Sequence, residues 1–411
     1  MTSPMPDTGT APNAGRALSL STIAFTVCFA VWTIFSIIGV QIKDQLGLTE
    51  AQFGLLVGTP VLTGSLIRLL LGIWTDRFGG RLVYTLTMLA SAAATALLAF
   101  AQTYEQMLVA ALGVGIAGGS FAVGVAYVSR FYPAGKQGTA LGIFGVGNVG
   151  AAVTKFAAPF VMVALGWQAV ALVWAAVLAI MAVVFWFSTE DDPVIAERRA
   201  SGGKGRSLAE EFAPLRNLQV WRFSLYYFFA FGAFVALSLW LPRYLIEVYG
   251  FDIQTAGMIA AFYSIPASIF RAYGGHLSDR HGARTVMYWT LIVSAAATFV
   301  LSFPQLGAAG FIAVAFVLGF FMSLGKAAVY KHIPAYYPGS VGAVGGLVGM
   351  IGGLGGFVLP IAFGVLNERT GMWTSCFMLL FAIVLVSLVW MHLSVRSIDR
   401  RTAQAVPVAA E

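Results

Sequence analysis

One stretch of this chain occurs twice. Ile67-Arg-Leu-Leu-Leu-Gly-Ile-Trp-Thr-Asp-Arg-Phe-Gly-Gly-Arg-Leu-Val83 returns 203 positions later as Phe270-Arg-Ala-Tyr-Gly-Gly-His-Leu-Ser-Asp-Arg-His-Gly-Ala-Arg-Thr-Val286. Arg, Gly, Asp, Arg, Gly, Arg and Val recur in register. In each copy a single arginine, Arg68 or Arg271, lies inside a long apolar run, and eight residues later comes a polar turn, Asp76-Arg77 or Asp279-Arg280. A repeat of this kind restricts the chain to two related halves. A charge placed at the same depth in each half points to a site between them.

The apolar runs identify the solvent. The chain is 59% hydrophobic and 10% charged, where soluble domains have about 45–50% and 25%. No single core can bury so much apolar surface, so the surroundings must be lipid. Crossing the hydrocarbon takes about 20 residues per helix, and twelve spans fit: 18–40, 52–75, 82–101, 106–129, 138–165, 167–188, 221–245, 254–277, 286–304, 308–332, 342–366 and 373–394. The expected architecture is an all-α membrane protein of 12 transmembrane helices. It divides into an N-terminal tail 1–17, a six-helix half 18–188, an inter-domain loop 189–220, a second half 221–394 and a C-terminal tail 395–411. The loop carries Glu190-Asp191-Asp192, Arg198-Arg199 and a Gly/Lys/Arg run at 202–206. It is expected to be solvated, and amphipathic near Leu208–Leu215. Met1–Gly15 lacks a basic segment followed by a short apolar core, so no cleavable signal peptide is expected.

The formal net charge of +7 is a matter of topology. With the N-terminus inside, sixteen Lys and Arg fall on the cytoplasmic side, three on the other and five within spans. Positive residues mark the cytoplasmic face, so both termini are expected there, in a bacterial cytoplasmic membrane. The same distribution argues against a nucleic-acid partner. Cys28 and Cys376 have no metal-ligand spacing and the four histidines form no cluster, so neither a metal, a cofactor nor an enzymatic centre is expected.

The acidic residues all lie in loops, tails or span ends. Arg68 and Arg271 therefore have no carboxylate at their depth, and arginine does not escape by deprotonating. An intramembrane charge is costly and functional by default, so the missing partner is best supplied by an anionic cargo. Tyr227 and Phe231 share a face of the seventh span at i, i+4, and Phe121 lies at a similar depth in the fourth. Aromatic walls with guanidinium forks in the plane suit a small planar oxyanion. Two glycine runs, Gly142–Gly150 and Gly345–Gly356, allow close helix approach. Residues 145–150 match GxGxxG, but no strand precedes them and no acidic residue follows, so a dinucleotide site is not indicated. Asn148, inside the first run, needs a partner on another helix or on the anion.

The repeated pattern Gly72-x-x-x-Asp76-Arg77-x-Gly79-x-Arg81, with its second copy Gly275, Asp279, Arg280 and Arg284, resembles the loop motif of the major facilitator superfamily. The resemblance implies parallel six-helix repeats, with the Asp and Arg of each loop fastening the halves on the cytoplasmic side. The arginine pair and the Gly-x-Gly-Asn-x-Gly run resemble the NarK-type nitrate/nitrite porter family. That likeness implies a nitrate clamp at Arg68 and Arg271, an aromatic lining from Phe121, Tyr227 and Phe231, and Asn148 as the signature asparagine. It also implies flexing segments at Gly142, Gly145, Gly147, Gly150, Gly349, Gly352, Gly353, Gly355 and Gly356. The chain is expected to act as a monomer.

Importing a monovalent anion into a negative-inside cell costs about 2.3 kcal/mol per 100 mV. Import therefore needs protons or a counter-anion. Lysine, unlike arginine, can exchange its proton when buried. Lys155, Lys326 and Lys331, with Tyr330, are the candidates for proton coupling, and the run Gly325–Pro334 resembles the proton-coupled (type I) branch. Nitrate import with protons is the expected function. Nitrate/nitrite exchange, organic-anion transport on the same scaffold and a membrane anion sensor remain alternatives.

Overall fold

The computed structural model describes residues 11–201, 210, 212–251 and 253–405. The outer ends of both tails, residues 202–209, 211 and 252 lie outside the described residues, and with them Lys204, Arg206 and Leu208. All described regular structure is helical.

Among the described residues, eleven helices are long and apolar enough to cross a bilayer: α1 Ala14–Gly39, α2 Gln52–Phe78, α3 Gly80–Leu98, α4 Tyr104–Ser129, α5 Ala134–Leu165, α6 Trp167–Ser188, α7 Leu218–Tyr249, α9 Ala283–Leu301, α10 Ala308–Tyr336, α11 Val341–Thr370 and α12 Ser375–Ile398. Between α7 and α9 runs α8, Ile253–His281, a further helix of 29 residues, and it carries Arg271. Twelve rods result, six before and six after the long connection. Their outer surface is apolar: Phe156, Phe160, Val163 and Phe187 are each more than two-thirds exposed, as lipid-facing side chains are. Inside, hydroxyls mostly return to carbonyls of their own helix, as in Thr75 to Leu71 at 2.7 Å and Ser278 to Gly274 at 2.7 Å. Interior polar groups are thereby satisfied without breaking the helices.

Four rods depart from regular winding near mid-length. α1 breaks after Trp32, α4 tightens at Ile116–Gly119, α5 tightens at Val146–Val149, and α7 widens at Phe228–Ala233. Such irregular turns expose backbone groups and are enriched at functional sites. Here they occur at the level of the buried arginines.

The two copies of the repeated turn lie at one end of the bundle, here called the linker end. Gly79 and Gly282 bridge their helices at φ 96 and 83, a conformation that favours glycine. Asp76 reaches into the second half and accepts bonds from the backbone N–H groups of Gly342 and Ala343, at 2.9 and 2.8 Å, where α11 begins. Asp279 does the same in the opposite direction, to Gly138 and Thr139 near the start of α5, at 2.9 and 2.6 Å. Each carboxylate satisfies the orphan donors of a helix N-terminus from the other half and meets its positive dipole end.

The cations beside these carboxylates are not those expected from the motif. Arg130, closing α4, lies 2.6 Å from Asp76, and Lys331 of α10 lies 2.6 Å from Asp279. Arg77 stays over the ring of Phe78, and Arg81 donates to the Trp186 carbonyl at 2.6 Å within its own half. Arg280 lines a surface cleft beside Asp279, and Arg284 lines a second cleft with His332.

The connection after α6 is less solvated than expected. Residues Pro193–Ala200 form a short helix capped by Asp192, whose carboxylate accepts from Ile195 N at 3.1 Å. Asp192 is buried and lies 3.1 Å from Arg130, while Ile195 packs where Gly79 lacks a side chain. The helix forms because Arg130 and the bare glycine turn offer its capping acid and Ile195 a buried seat.

Each charge-assisted bond at the linker end contributes about 1.5–3 kcal/mol. Asp76→Asn or Asp279→Asn should therefore open that end. A Gly345→Cys probe suits the measurement, because its Cβ would meet nothing closer than Tyr330 Cε1 at 3.6 Å. Both native cysteines are buried and give little background. Maleimide labelling of that probe is expected to rise about tenfold in either variant; an unchanged rate would show that the carboxylates do not hold the end shut.

Candidate functional site

Arg68 on α2 and Arg271 on α8 approach one another from the two halves, and each is only 1% exposed. Phe121 of α4 lies between them, its ring centroid 5.7 Å from Arg68 Cζ and 4.7 Å from Arg271 Cζ. Arg68 also lies 5.6 Å from the ring of Trp32 and 5.5 Å from that of Phe231, and Arg271 lies 5.9 Å from Tyr330. Ring faces attract a desolvated cation by about 2 kcal/mol, which offsets part of the cost of burial.

Their hydrogen bonds differ. Arg68 Nε donates to the Gly118 carbonyl at 3.0 Å, in the tightened turn of α4, and Nη1 donates to Gly349 of α11 at 2.8 Å. Arg68 thus has carbonyl partners in both halves. Arg271 has one long contact, from Nη2 to the Tyr227 hydroxyl at 3.5 Å, and its Nε and Nη1 have no partner among the described residues. The carboxylates nearest along each helix, Asp76 and Asp279, lie eight residues away, about 12 Å at helical rise, and face the helix N-termini already described. A buried guanidinium with two free donors is an acceptor-binding group without its acceptor.

The aromatic side chains form a flat-walled box. Phe121 and Tyr227 lie within 7° of parallel with centroids 6.4 Å apart, and Tyr227 and Phe231 within 6° at 5.1 Å. Tyr330 stands across both, at 83° to Phe121 and 77° to Tyr227, and its hydroxyl donates to the Gly345 carbonyl at 2.9 Å. Parallel walls and edge-on forks favour a small, planar, negatively charged guest.

The glycine runs bring helix backbones against these arginines. A Cβ on Gly142 would come within 2.8 Å of the Arg271 carbonyl, and one on Gly145 within 2.7 Å of Arg271 Cζ. In α11, a Cβ on Gly349 would meet Tyr330 Oη at 2.7 Å, and one on Gly353 would meet Arg68 Nη1 at 3.1 Å. Gly352 faces Tyr227, Gly355 and Gly356 face α7, and Gly147 and Gly150 face α1. Gly72 and Gly275 serve the crossings nearer the linker end, against Gly342 and Gly138.

Beyond the arginines, away from the linker end, lies a cavity of about 530 Å³. Asn148, Lys155, Trp32 and Phe231 are among its lining. Asn148 is buried, and neither its Nδ2 nor its Oδ1 has a partner among the described residues. Lys326 is fully buried just behind this cavity. Its Nζ lies 3.5 Å from the centroid of Phe234, a lining residue, and donates to Ala267 O at 3.3 Å. Lys331 is not brought to the arginines; it joins Asp279 and the Ala134 carbonyl at the linker end.

The sequence reading missed Trp32 and Arg130. Trp32 sits where α1 breaks, its Nε1 donating to Pro60 O at 2.7 Å, and only its place in an apolar span was visible. Arg130 was counted for topology alone, although a lone arginine closing the fourth span matches Lys331 near the end of the tenth.

The family model described as Major Facilitator Superfamily matches residues 20–262 and 249–409. The Probable nitrate/nitrite antiporter NarK1 of Thermus thermophilus is 42% identical over 423 residues, covering 96% of this chain and 94% of that protein. The Nitrite extrusion protein of Bacillus subtilis (strain 168) is 31% identical over 381 residues, covering 91% and 94%. Among solved structures, the proton:xylose symporter XylE bound to 6-bromo-6-deoxy-D-glucose superposes with a TM-score of 0.77 at 12% identity, over 92% of this chain and 95% of that one. At that identity the likeness speaks for the fold alone. The chain belongs to the major facilitator superfamily, in the group that holds the NarK-type nitrate/nitrite porters.

Proposed function

We propose that this protein imports nitrate together with protons by alternating access, with the linker end facing the cytoplasm of a bacterial cell. The observation that carries the reading is Arg271: a buried guanidinium with Nε and Nη1 unpartnered, facing Arg68 across Phe121. Nitrate is planar, singly charged and able to take both forks in one plane. The names of the two curated relatives support the same substrate class. The excess of Lys and Arg at the linker end supports the orientation.

Binding between the arginines neutralises the charge that keeps the site unfavourable when empty. It also draws together α2 and α8, the helices fastened at the linker end by Asp76 and Asp279. Release of those carboxylates and closure of the outer cavity would then expose the anion to the cytoplasm.

Lys326 is the residue we assign to proton coupling. It is buried without a carboxylate partner among the described residues, one aromatic ring behind the cavity. An arriving anion adds the negative charge that a protonated Lys326 needs. Tyr330 is engaged with Gly345 and Lys331 with Asp279, so neither is as free to exchange a proton with the cavity. Nitrate/nitrite exchange is the second reading, favoured by the name of the Thermus relative.

Proteoliposome flux separates the two. With no anion inside, an acid-outside gradient should drive nitrate uptake, each pH unit contributing about 1.4 kcal/mol per proton; uptake that requires internal nitrite would establish exchange. Arg68→Lys and Arg271→Lys should each weaken nitrate binding at least about tenfold, because an ammonium cannot reproduce a two-pronged bond. Calorimetric titration giving near-normal affinity in either variant would remove the clamp assignment. Lys326→Gln is expected to flatten the pH dependence of uptake while retaining nitrate binding, and an unaltered pH profile would exclude Lys326 as the coupling residue.

A further inference from the structure

We propose that Lys155 forms a second, outer site for a small inorganic anion, where the substrate is collected before it passes the Asn148 amide on its way to Arg68 and Arg271. The proposal rests on the transport reading above and adds a stage to it. Three observations carry it.

The first is the charge of the cavity. Its lining contains one ionisable side chain that can be cationic, Lys155, and no Asp or Glu. Lys155 makes no ion pair with any other described residue, so its charge is presented to whatever enters. An apolar-walled cleft bearing one sign of charge concentrates counter-ions and raises their arrival rate.

The second is the polar supplement. Asn148 stands two helical turns from Lys155 on α5, about 10 Å along the axis. Its amide lacks any partner among the described residues although it is 94% buried, as its exposure of 6% implies. Ser264 and Ser268 line the facing wall on α8. Their protons go to carbonyls of their own helix, at 2.9 and 3.1 Å. The donors left unengaged on these walls are the ammonium and, two turns nearer the arginines, the amide.

The third is the floor. Trp32 and Phe231 line the cavity and also approach Arg68 at 5.6 and 5.5 Å. One layer of rings separates the outer cavity from the arginine pair, and Phe231 belongs to the widened turn Phe228–Ala233, where helical winding is already relaxed. An anion held by Lys155 waits at this layer. The chemistry grades the transfer: a flexible ammonium acts as a point charge that releases readily, whereas the guanidinium pair grips a planar oxyanion by geometry.

The test is initial-rate uptake of labelled nitrate into proteoliposomes at a fixed acid-outside gradient, comparing wild type, Lys155→Gln and Lys155→Arg over a range of nitrate and ionic strength. Lys155→Gln is expected to raise KM about tenfold, keep the maximal rate within about twofold, lose most of the salt dependence of KM and keep its response to the pH gradient. Lys155→Arg should restore KM. An unchanged KM in the Gln variant, with wild type transporting normally, overturns the outer site alone. Loss of the pH response would place the proton on Lys155 and likewise overturn it. If wild-type vesicles take up no nitrate, the transport reading fails and the outer site falls with it.

Discussion

A guanidinium held in a low-dielectric interior without a counter-charge is expensive: even insertion scales place the cost at about 3 kcal/mol per residue. Arg68 and Arg271 both bear that cost, and much of the architecture around them reduces it without removing it. Carbonyls from Gly118 and Gly349 hold Arg68, ring faces surround both heads, and Arg271 keeps two donors unanswered. A fully satisfied pair would have no use for an anion; a wholly unsatisfied pair would not tolerate burial. The site lies between these limits, with the larger deficit on Arg271.

The acids that could cancel this charge are directed elsewhere by the same repeated stretch. Asp76 and Asp279 stand two helical turns from the arginines and face the N-termini of α11 and α5. That arrangement couples the two levels mechanically. α11 is held at its start by Asp76 and touches Arg68 further along through Gly349, and α5 is held by Asp279 and touches Arg271 through Gly145. A shift of either helix alters the fastening and the surroundings of the arginine pair together. Glycines at several crossings, Gly72 on Gly342, Gly275 on Gly138 and Gly142 on the Arg271 carbonyl, bring backbone against backbone, so sliding there moves no side chain.

Arg130 and the segment after α6 extend this coupling. Arg130 bridges Asp76 and Asp192, and Arg198 of the short helix donates to the Asp76 carbonyl at 3.2 Å. The long connection therefore touches the turn that fastens the halves. Lys331 with Asp279 is the simpler counterpart in the second half. The repeated motif is symmetric, while its supporting cations are not.

Much of the fold was legible in the sequence because lipid imposes a simple rule: apolar runs of sufficient length must be helices, and a repeat 203 residues apart must build two similar halves. The inventory of charge carried the next step, since the absence of mid-span acids can be read without coordinates. Side-chain partnership could not. That Arg130 rather than Arg77 meets Asp76, that Lys331 belongs to the linker end, and that Asp192 is buried all depend on which helix ends converge. Nor could periodicity place Trp32 beside Arg68, because the contact arises where α1 breaks and α2 crosses it. Composition and spacing determined the helices, their number and the unbalanced arginines, for these follow from solvation along the chain. Tertiary structure alone decided which donors stay unpaired, because hydrogen bonding between distant residues is settled by how the two halves close on one another.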